Sequence, residues 1–518
     1  MDFSWNSTLD ILERRASFSP DWPVLFESDR GREYTYKELN HRASAVASYL
    51  TEKAGLEKGD RLAVLSRNCV EYIDLFFAAV KTGIILVPLN IRLSAAELQG
   101  MLNQTTPRLL AYEQAFEEMA SKLDLGPTNK SVIFKQTGPK PELPAEDYDI
   151  LLESSTGPFT SREMIQPEDP LLLLFTGGTT GPPKAAVISH RAVFFNMLSE
   201  TVSWQLGPHT VAPGLLPFFH TGGWNLVTLP TIFAGGRILI NPGFDPELTL
   251  KQVEEEKCSF LFAAATMFRM ISSHENFNKT DLSSLQFVMS GAAPCPVSVM
   301  EPYWEKDVVF VQGYGITEGG PNNLYMPWDS LSWEQVKNKS QSVGKPFLYC
   351  QARIIDEDGN PAGQGEMGEL LLSGPVTFSG YWNNPGESEK TLRSGWVHTG
   401  DIARQDSEGF YYIADRKKDM YISGGENVFP VEVENAIEAH DSVLEAAVIG
   451  IPDEKWGETG KAFIVLKEGS VLTGEDMQAY LQNKLARYKI PREISFVQSI
   501  PKSSVGKVLK RLLAENNT

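Results

Sequence analysis

Nine consecutive residues, Thr176-Gly177-Gly178-Thr179-Thr180-Gly181-Pro182-Pro183-Lys184, have the composition of an anion cradle. Glycines let backbone N–H groups crowd around a negative charge. The threonine hydroxyls add donors and Lys184 adds a cation, so the set suits phosphates. It is not a Walker A loop: the G-x-x-x-x-G-K-[ST] order is absent, and the segment joins two apolar runs that read as strands. The alternative, a flexible turn of small polar residues, fits this particular order poorly. Other chemistry-bearing groups are spread along the chain: Ser290-Gly291-Ala292-Ala293-Pro294, Gln312-Gly313-Tyr314-Gly315-Ile316-Thr317-Glu318, Trp396-Val397-His398-Thr399-Gly400-Asp401, Asp415-Arg416-Lys417-Lys418-Asp419, Ser423-Gly424-Gly425-Glu426 and Pro501 to Lys510. An aromatic ring flanked by glycines suits the face of a base, and a hard carboxylate suits Mg²⁺.

In this order and across nearly the whole chain, these motifs resemble those of the adenylate-forming superfamily of acyl-CoA synthetases, amino-acid-adenylating domains and luciferases. The family pattern usually has Ser where this chain has Gly177 and Gly where it has Ala185. The resemblance implies that Thr176, Gly177, Gly178, Thr179, Thr180, Gly181 and Lys184 hold the ATP phosphates. It implies that Gly291, Ala292 and Ala293 face adenine, that Gln312, Gly313, Tyr314 and Gly315 continue the nucleotide site with Tyr314 stacking on the base, that Thr317 contacts phosphate, and that Glu318 binds Mg²⁺. Asp401 would take both ribose hydroxyls, with Arg416 opposite. Lys418 matches a hinge position, where a backbone change exchanges two closed arrangements. Gly424, Gly425 and Glu426 would line a thiol tunnel, which a side chain at Gly425 would narrow. Lys507 would bridge carboxylate and α-phosphate as charge builds, a placement that supplies roughly several kcal/mol in a dry site.

The segment Pro217 to Asn225 resembles the family's acyl gate. There His220, Gly222 and Trp224, with Thr266 from a second wall, are candidates for the acyl pocket; a plain core role for Trp224 is an equal alternative. The implied reaction is ATP-dependent acid–CoA ligation through an acyl-adenylate, on a fatty or other apolar acid, with an aryl or specialised acid as the alternative. ATP, Mg²⁺ and coenzyme A are the implied cofactors. A free-standing enzyme loading a carrier protein is the nearest rival. Amino-acid adenylation is disfavoured because Leu215 to Asn225 has no Asp for a substrate amine, and because the chain ends soon after Lys507. Luciferase-like oxidation, a nucleic-acid ligase (no K-x-D-G lysine) and a non-catalytic nucleotide-binding protein are remoter.

These residues need a scaffold of more than one core, since 518 residues exceed one ordinary domain. The hydrophobic share of 42% and the charged share of 22% are those of a soluble globular protein. A net charge of −19 disfavours nucleic acid as a partner. No apolar run reaches the roughly 18 residues of a membrane span, and no signal peptide or peroxisomal tail is visible. The four cysteines are scattered and the seven histidines form no metal motif. The expected setting is the cytoplasm, as a monomer or homodimer.

The expected class is α/β. A large N-terminal domain, residues 1–415, would carry two α/β sheets and a small β-rich subdomain from Ser342 to Ala414; a small mobile α+β domain, residues 416–518, would follow. Spacing predicts helices over Tyr36–Glu52, Glu71–Lys81, His190–Glu200 (capped by Ser189) and Gly474–Arg487. It predicts strands over Arg61–Ser66, Ile84–Pro88, Leu171–Phe175, Ala185–Ser189, Val443–Ile449 and Ile494–Val497. Much of Gly126–Glu168, rich in Pro, Lys, Glu and Ser, is predicted to be surface loop.

Overall fold

The computed structural model describes residues 10–126, 130–135, 145–153, 159, 164–176, 183–416, 419–453, 456–502 and 508–515. The helix expected at Glu71–Lys81 runs over Val70–Thr82 with every residue buried. Burying it whole requires partners for its charges. Asp74 receives both Arg42 Nη2 at 2.6 Å and Tyr148 Oη at 2.8 Å, and Lys81 meets Asp10 at 2.5 Å. The first predicted helix begins at Tyr36 behind a Thr35/Glu38 capping box and ends at Ser48, followed by a π-helical turn over Tyr49–Lys53. Ser189 caps the helix His190–Ser203 as expected, its hydroxyl accepting from Ala192 N.

The α/β class holds. A seven-stranded sheet is parallel through six strands, Glu146–Asp147, Lys130–Phe134, Leu109–Glu113, Arg61–Leu65, Ile85–Pro88 and Pro170–Thr176. It closes on the antiparallel strand Lys184–Ser189. A five-stranded sheet carries Phe260–Ala263, Phe287–Ser290 and Phe310–Tyr314 in parallel, then two short antiparallel strands. A four-stranded sheet, not anticipated, is built from Val211–Gly214, Arg237–Ile240 and the hairpin 23–35. It abuts the five-stranded one where Ser259 N donates to Val211 O at 2.7 Å, so the two act nearly as one layer. The β-rich region is a five-stranded antiparallel sheet over Gln351–Arg416.

The loop expectation for Gly126–Glu168 is corrected in part. Val132, Ile133 and Phe134 are buried in a sheet strand, and Tyr148 and Leu151 reach the core from the short helix Tyr148–Leu152. Polar flanks mask these buried residues and Ile165 as well. The helix expected to reach Arg487 stops at Gln482, and a 3₁₀ turn follows at Arg487–Lys489.

Between Arg416 and Tyr421 the chain leaves one sheet for another. The second sheet orders Glu426–Val428, Tyr421–Ser423, Gly457–Leu466 and Val443–Asp453, with Glu493–Phe496 beside Gly457–Leu466. At the crossing, Asp415 Oδ2 accepts from Val431 N at 2.9 Å. Lys510 Nζ lies 2.8 Å from Glu434 Oε1 and 4.0 Å from Asp415 Oδ2. Burial lifts Asp415 to about 6 even against Lys510.

One buried group stands out in the N-terminal core. Glu200 is 0% exposed. Neither of its carboxylate oxygens has a hydrogen-bond partner among the described residues. Burial holds it well above its ordinary value of 4.5; only a nearby Asn196 amide pulls slightly the other way. The same helix is tied to its neighbour by Asn196 Nδ2 donating to Asn225 O at 2.7 Å.

Candidate active site

Only the ends of the anion-cradle candidate are described, and each belongs to a strand. Thr176 ends one, Lys184 opens the next, and the two are paired across the ladder. Gly177, Gly178, Thr179, Thr180 and Gly181 lie outside the described residues. Thr176 and Lys184 are therefore fixed at the mouth by sheet register, and each reaches a carboxylate. Thr176 Oγ1 donates to Glu318 Oε1 at 3.0 Å, and Lys184 Nζ is paired with Glu387.

Glu318 sits in a single 3₁₀ turn, Thr317–Gly319, directly after the strand Phe310–Tyr314. The approach to the turn leaves little room for side chains: a Cβ on Gly315, between strand and turn, would lie 1.3 Å from Pro321 O, and one on Gly313, in the strand, 2.9 Å from Met289 Sδ. Gln312 links the adenine-turn candidate to the next segment, its Oε1 accepting from Cys295 N at 3.0 Å and its Nε2 donating to Ser340 O at 2.6 Å. In that turn Ala292 has φ +71°, and a Cβ on Gly291 would press on Phe262 at 2.8 Å.

Tyr314 Oη donates to Asp401 Oδ2 at 2.5 Å, and Arg416 Nε lies 3.6 Å from Asp401 Oδ1. Asp401 and Arg416 face each other in the ladder between Trp396–Gln405 and Tyr411–Arg416. Thr399 Oγ1 steadies the turn by accepting from Asp401 N at 3.0 Å while donating to Leu370 O at 2.7 Å. Burial, then the adjacent Asp401 charge, holds the Tyr314 phenol far above its ordinary value, so it remains a donor. The structure thus pairs Thr176 with Glu318 and joins Tyr314, Asp401 and Arg416, the two clusters sharing the motif that carries Tyr314 and Glu318.

Two residues at this centre escaped the sequence analysis. Tyr381 Oη donates to Glu318 Oε1 at 2.7 Å, and Glu387 holds Lys184. Their only signal was the Gly380-Tyr381-Trp382-Asn383-Asn384-Pro385 run, which reads as a turn. The Lys184 ammonium, with Lys390 beside it, holds Glu387 down at about 2.

The remaining candidates are dispersed. Gly222 packs under Leu216 and Leu226, within 2.8 and 3.1 Å of a Cβ, at the start of a π-helical stretch, Gly222–Thr228. His220 is half-buried beside the Phe219 ring at 4.7 Å. Thr266 is half-exposed at the start of the helix Ala265–Ser273. Trp224 is fully buried, stacked on Phe218 at 4.1 Å and Phe76 at 4.6 Å. That places it in the core of the N-terminal domain.

Gly424, Gly425 and Glu426 form the exposed turn of the hairpin Tyr421–Val428. Gly424 lies against the Trp456 ring, 2.3 Å from a Cβ; Gly425, at φ +90°, has nothing within 4 Å. Among the described residues, no hydrogen bond or ion pair joins this turn to Glu318 or Asp401. Lys418 and Lys507 lie outside the described residues.

The donor set fits a hard cation at Glu318. Both hydroxyl donors address Oε1, which leaves the Oε2 lone pairs for an ion. Among the described residues no group of three or more His, Cys, Asp or Glu side chains is arranged for a metal, so a cation here would depend on ligands from its substrate. No helix among them is long and apolar enough to cross a membrane.

Two family models match: AMP-binding enzyme over residues 12–382 and AMP-binding enzyme C-terminal domain over residues 432–507. A feruloyl-CoA synthase of Amycolatopsis is 36% identical over 96% of each chain. A long-chain-fatty-acid–CoA ligase of Bacillus subtilis is 33% identical over 99% of this chain and 95% of its own. Among solved structures, ATP-bound MatB from Rhodopseudomonas palustris superposes with a TM-score of 0.89, at 27% identity and 98% coverage of each chain.

Proposed function

The chain belongs to the AMP-binding enzyme family, and from that premise we propose that it is an acid–CoA ligase working through an acyl-adenylate, with an aryl or aryl-substituted carboxylic acid as substrate. One observation supports the adenylation half: Thr176 meets Glu318 at 3.0 Å, and Tyr314, from the same motif as Glu318, meets Asp401 at 2.5 Å with Arg416 3.6 Å from that carboxylate. The aryl preference is supported by the likeness to a feruloyl-CoA synthase. A fatty acid remains the second substrate reading, supported by the likeness to a long-chain-fatty-acid–CoA ligase.

In this reading a carboxylate resists thiols because its oxygen leaves poorly, and adenylation replaces that oxygen with AMP while pyrophosphate departs. Lys184 and the donors around it hold the phosphates. Asp401 accepts from the ribose hydroxyls, and Arg416 orients that carboxylate. Mg²⁺ bound at Glu318 would neutralise phosphate charge. Lys507, brought in by the C-terminal domain (residues 416–518), places a cation between carboxylate and α-phosphate. Reorientation about Lys418 then exchanges it for the Gly424–Glu426 turn, where CoA enters. Gly222, His220 and Thr266 border the acid; Trp224 serves the core behind them.

The test is pyrophosphate exchange across a panel of hydroxycinnamic, benzoic, arylacetic and fatty acids, with and without CoA. Acid-dependent exchange strongest with aryl acids, and thioester formed only with CoA, is the expected pattern. Strongest exchange with fatty acids would replace the aryl reading by the second. Exchange without thioester, unless a phosphopantetheinylated carrier is supplied, would replace CoA. A Lys507→Ala variant is expected to lose exchange about 100-fold or more while still converting supplied acyl-adenylate to thioester.

A further inference from the structure

We infer that Tyr381 is a positioning residue for adenylation: its phenol fixes one oxygen of the Glu318 carboxylate, and its ring seats Lys184. The inference rests on the adenylation reading above. It assigns a role to a residue outside the motifs that suggested that reading.

The hydrogen bonds are directional. Tyr381 Oη at 2.7 Å and Thr176 Oγ1 at 3.0 Å both donate to Glu318 Oε1. A carboxylate held twice through one oxygen cannot rotate about its terminal torsion, so Oε2 is presented in one direction. A free glutamate would have to give up that rotational freedom when a cation binds.

The ring has a second duty. Lys184 Nζ lies over it, 5.3 Å from the centroid, within the range of an ammonium–aromatic attraction. Lys184 is thereby bracketed by the Tyr381 face and the Glu387 carboxylate. The cation that would meet the phosphates and the carboxylate that would meet the metal are thus positioned by one side chain.

The mount is rigid. Tyr381 forms an antiparallel bridge to Ala186, two residues after Lys184. Val187 N donates to Gly380 O and Ser379 N donates to Val187 O, each at 2.9 Å. Tyr381 N donates to Ser388 Oγ at 2.7 Å, and Phe378 N donates to Glu318 O at 3.1 Å. The segment therefore grips the backbone of Glu318 as well as its side chain. With only 9% of the residue exposed, little solvent competes for the phenol.

The experiment uses Tyr381→Phe in the full chain, which removes one hydroxyl and keeps the ring and all the backbone ties. Mn²⁺ binding is read by electron paramagnetic resonance in the presence of a non-hydrolysable ATP analogue. The Mg²⁺ concentration giving half-maximal pyrophosphate exchange is read separately, and the thermal midpoint confirms folding. Loss of one hydrogen bond to a charged group should weaken Mn²⁺ binding and raise the Mg²⁺ half-point by about tenfold. Exchange at saturating Mg²⁺ should stay within a few-fold of wild type.

In a Glu318→Gln background, Tyr381→Phe should change Mn²⁺ binding no further. Mn²⁺ affinity within twofold of wild type, or an undiminished effect in the Glu318→Gln background, would overturn the inference. The Mn²⁺ measurement does not use the reaction. Absent exchange in wild type would sink the adenylation reading while Tyr381 is still judged on Mn²⁺ binding alone.

Discussion

Replacing Glu200 by glutamine should remove a loss of stability that the wild-type protein suffers as pH rises. Glu200 is 0% exposed and neither carboxylate oxygen has a partner among the described residues. Its folded value is held well above 4.5 by burial, so it remains protonated in the native state where it is ionised in the unfolded chain. In that window the native state binds the extra proton. Unfolding therefore releases one, and stability falls by about 1.4 kcal/mol for each pH unit above the unfolded value. Below the unfolded value the contribution is flat. Glutamine fills nearly the same volume and carries no titrating proton, so this slope disappears. Urea unfolding followed by tryptophan fluorescence at pH 5, 6, 7 and 8 measures it; Trp204 and Trp224 lie in the same core. The difference in unfolding free energy, Glu200→Gln minus wild type, should grow in the variant's favour as pH rises above the unfolded value, with a limiting slope of about 1.4 kcal/mol per unit while Glu200 stays protonated in the folded state. Parallel curves would refute the argument, because they would mean Glu200 has the same proton affinity folded and unfolded.

Trp224→Ala should cost about 3–5 kcal/mol in urea unfolding, since it empties a fully buried stack. Trp224→Phe should leave the ranking of acids unchanged, and a reordered ranking at unchanged stability would move Trp224 to the pocket. Gly315→Ala should abolish ATP binding in a calorimetric titration, because its Cβ would overlap Pro321 O at 1.3 Å; retained affinity would show that the turn yields. Asp401→Asn should raise KM for ATP about tenfold with a smaller change in kcat, as loss of a charged hydrogen-bonding partner predicts. An unchanged KM would remove Asp401 from the nucleotide site.

The site was legible in the sequence wherever its chemistry is contiguous. Thr176 and Lys184 belong to one run, and Tyr314 to Glu318 to another. The contacts that turn these runs into a centre were not legible. Thr176 and Glu318 are 142 residues apart, and Tyr381 and Glu318 are 63 apart; no local pattern announces such pairings. Trp224 was ambiguous because an aromatic in an apolar run can face a cavity or a core, and the Phe218 and Phe76 stacks that favour the core form only in the fold. Val132 to Phe134 were hidden for the opposite reason: too short to show a period, the strand owes its place to the parallel partner Leu109–Glu113. The buried helix Val70–Thr82 was legible from its near-continuous apolarity, but not the Arg42 and Tyr148 contacts that let Asp74 sit inside it.

The ion cluster at the crossing between the sheets bears on timing. Asp415, Glu434 and Lys510 come from three stretches of chain and are largely shielded from solvent, with side chains 5%, 15% and 17% exposed. If the C-terminal unit swings, the Lys510–Glu434 pair moves with it and leaves Asp415 behind, and water must reach Asp415 and the vacated side of the ammonium before a new resting place is found. Rehydration of shielded ions is costly. The interval between the two half-reactions would then be governed by solvent entry at a clasp distant from the reacting atoms. In that case turnover could change through residues that never meet acid, nucleotide or thiol.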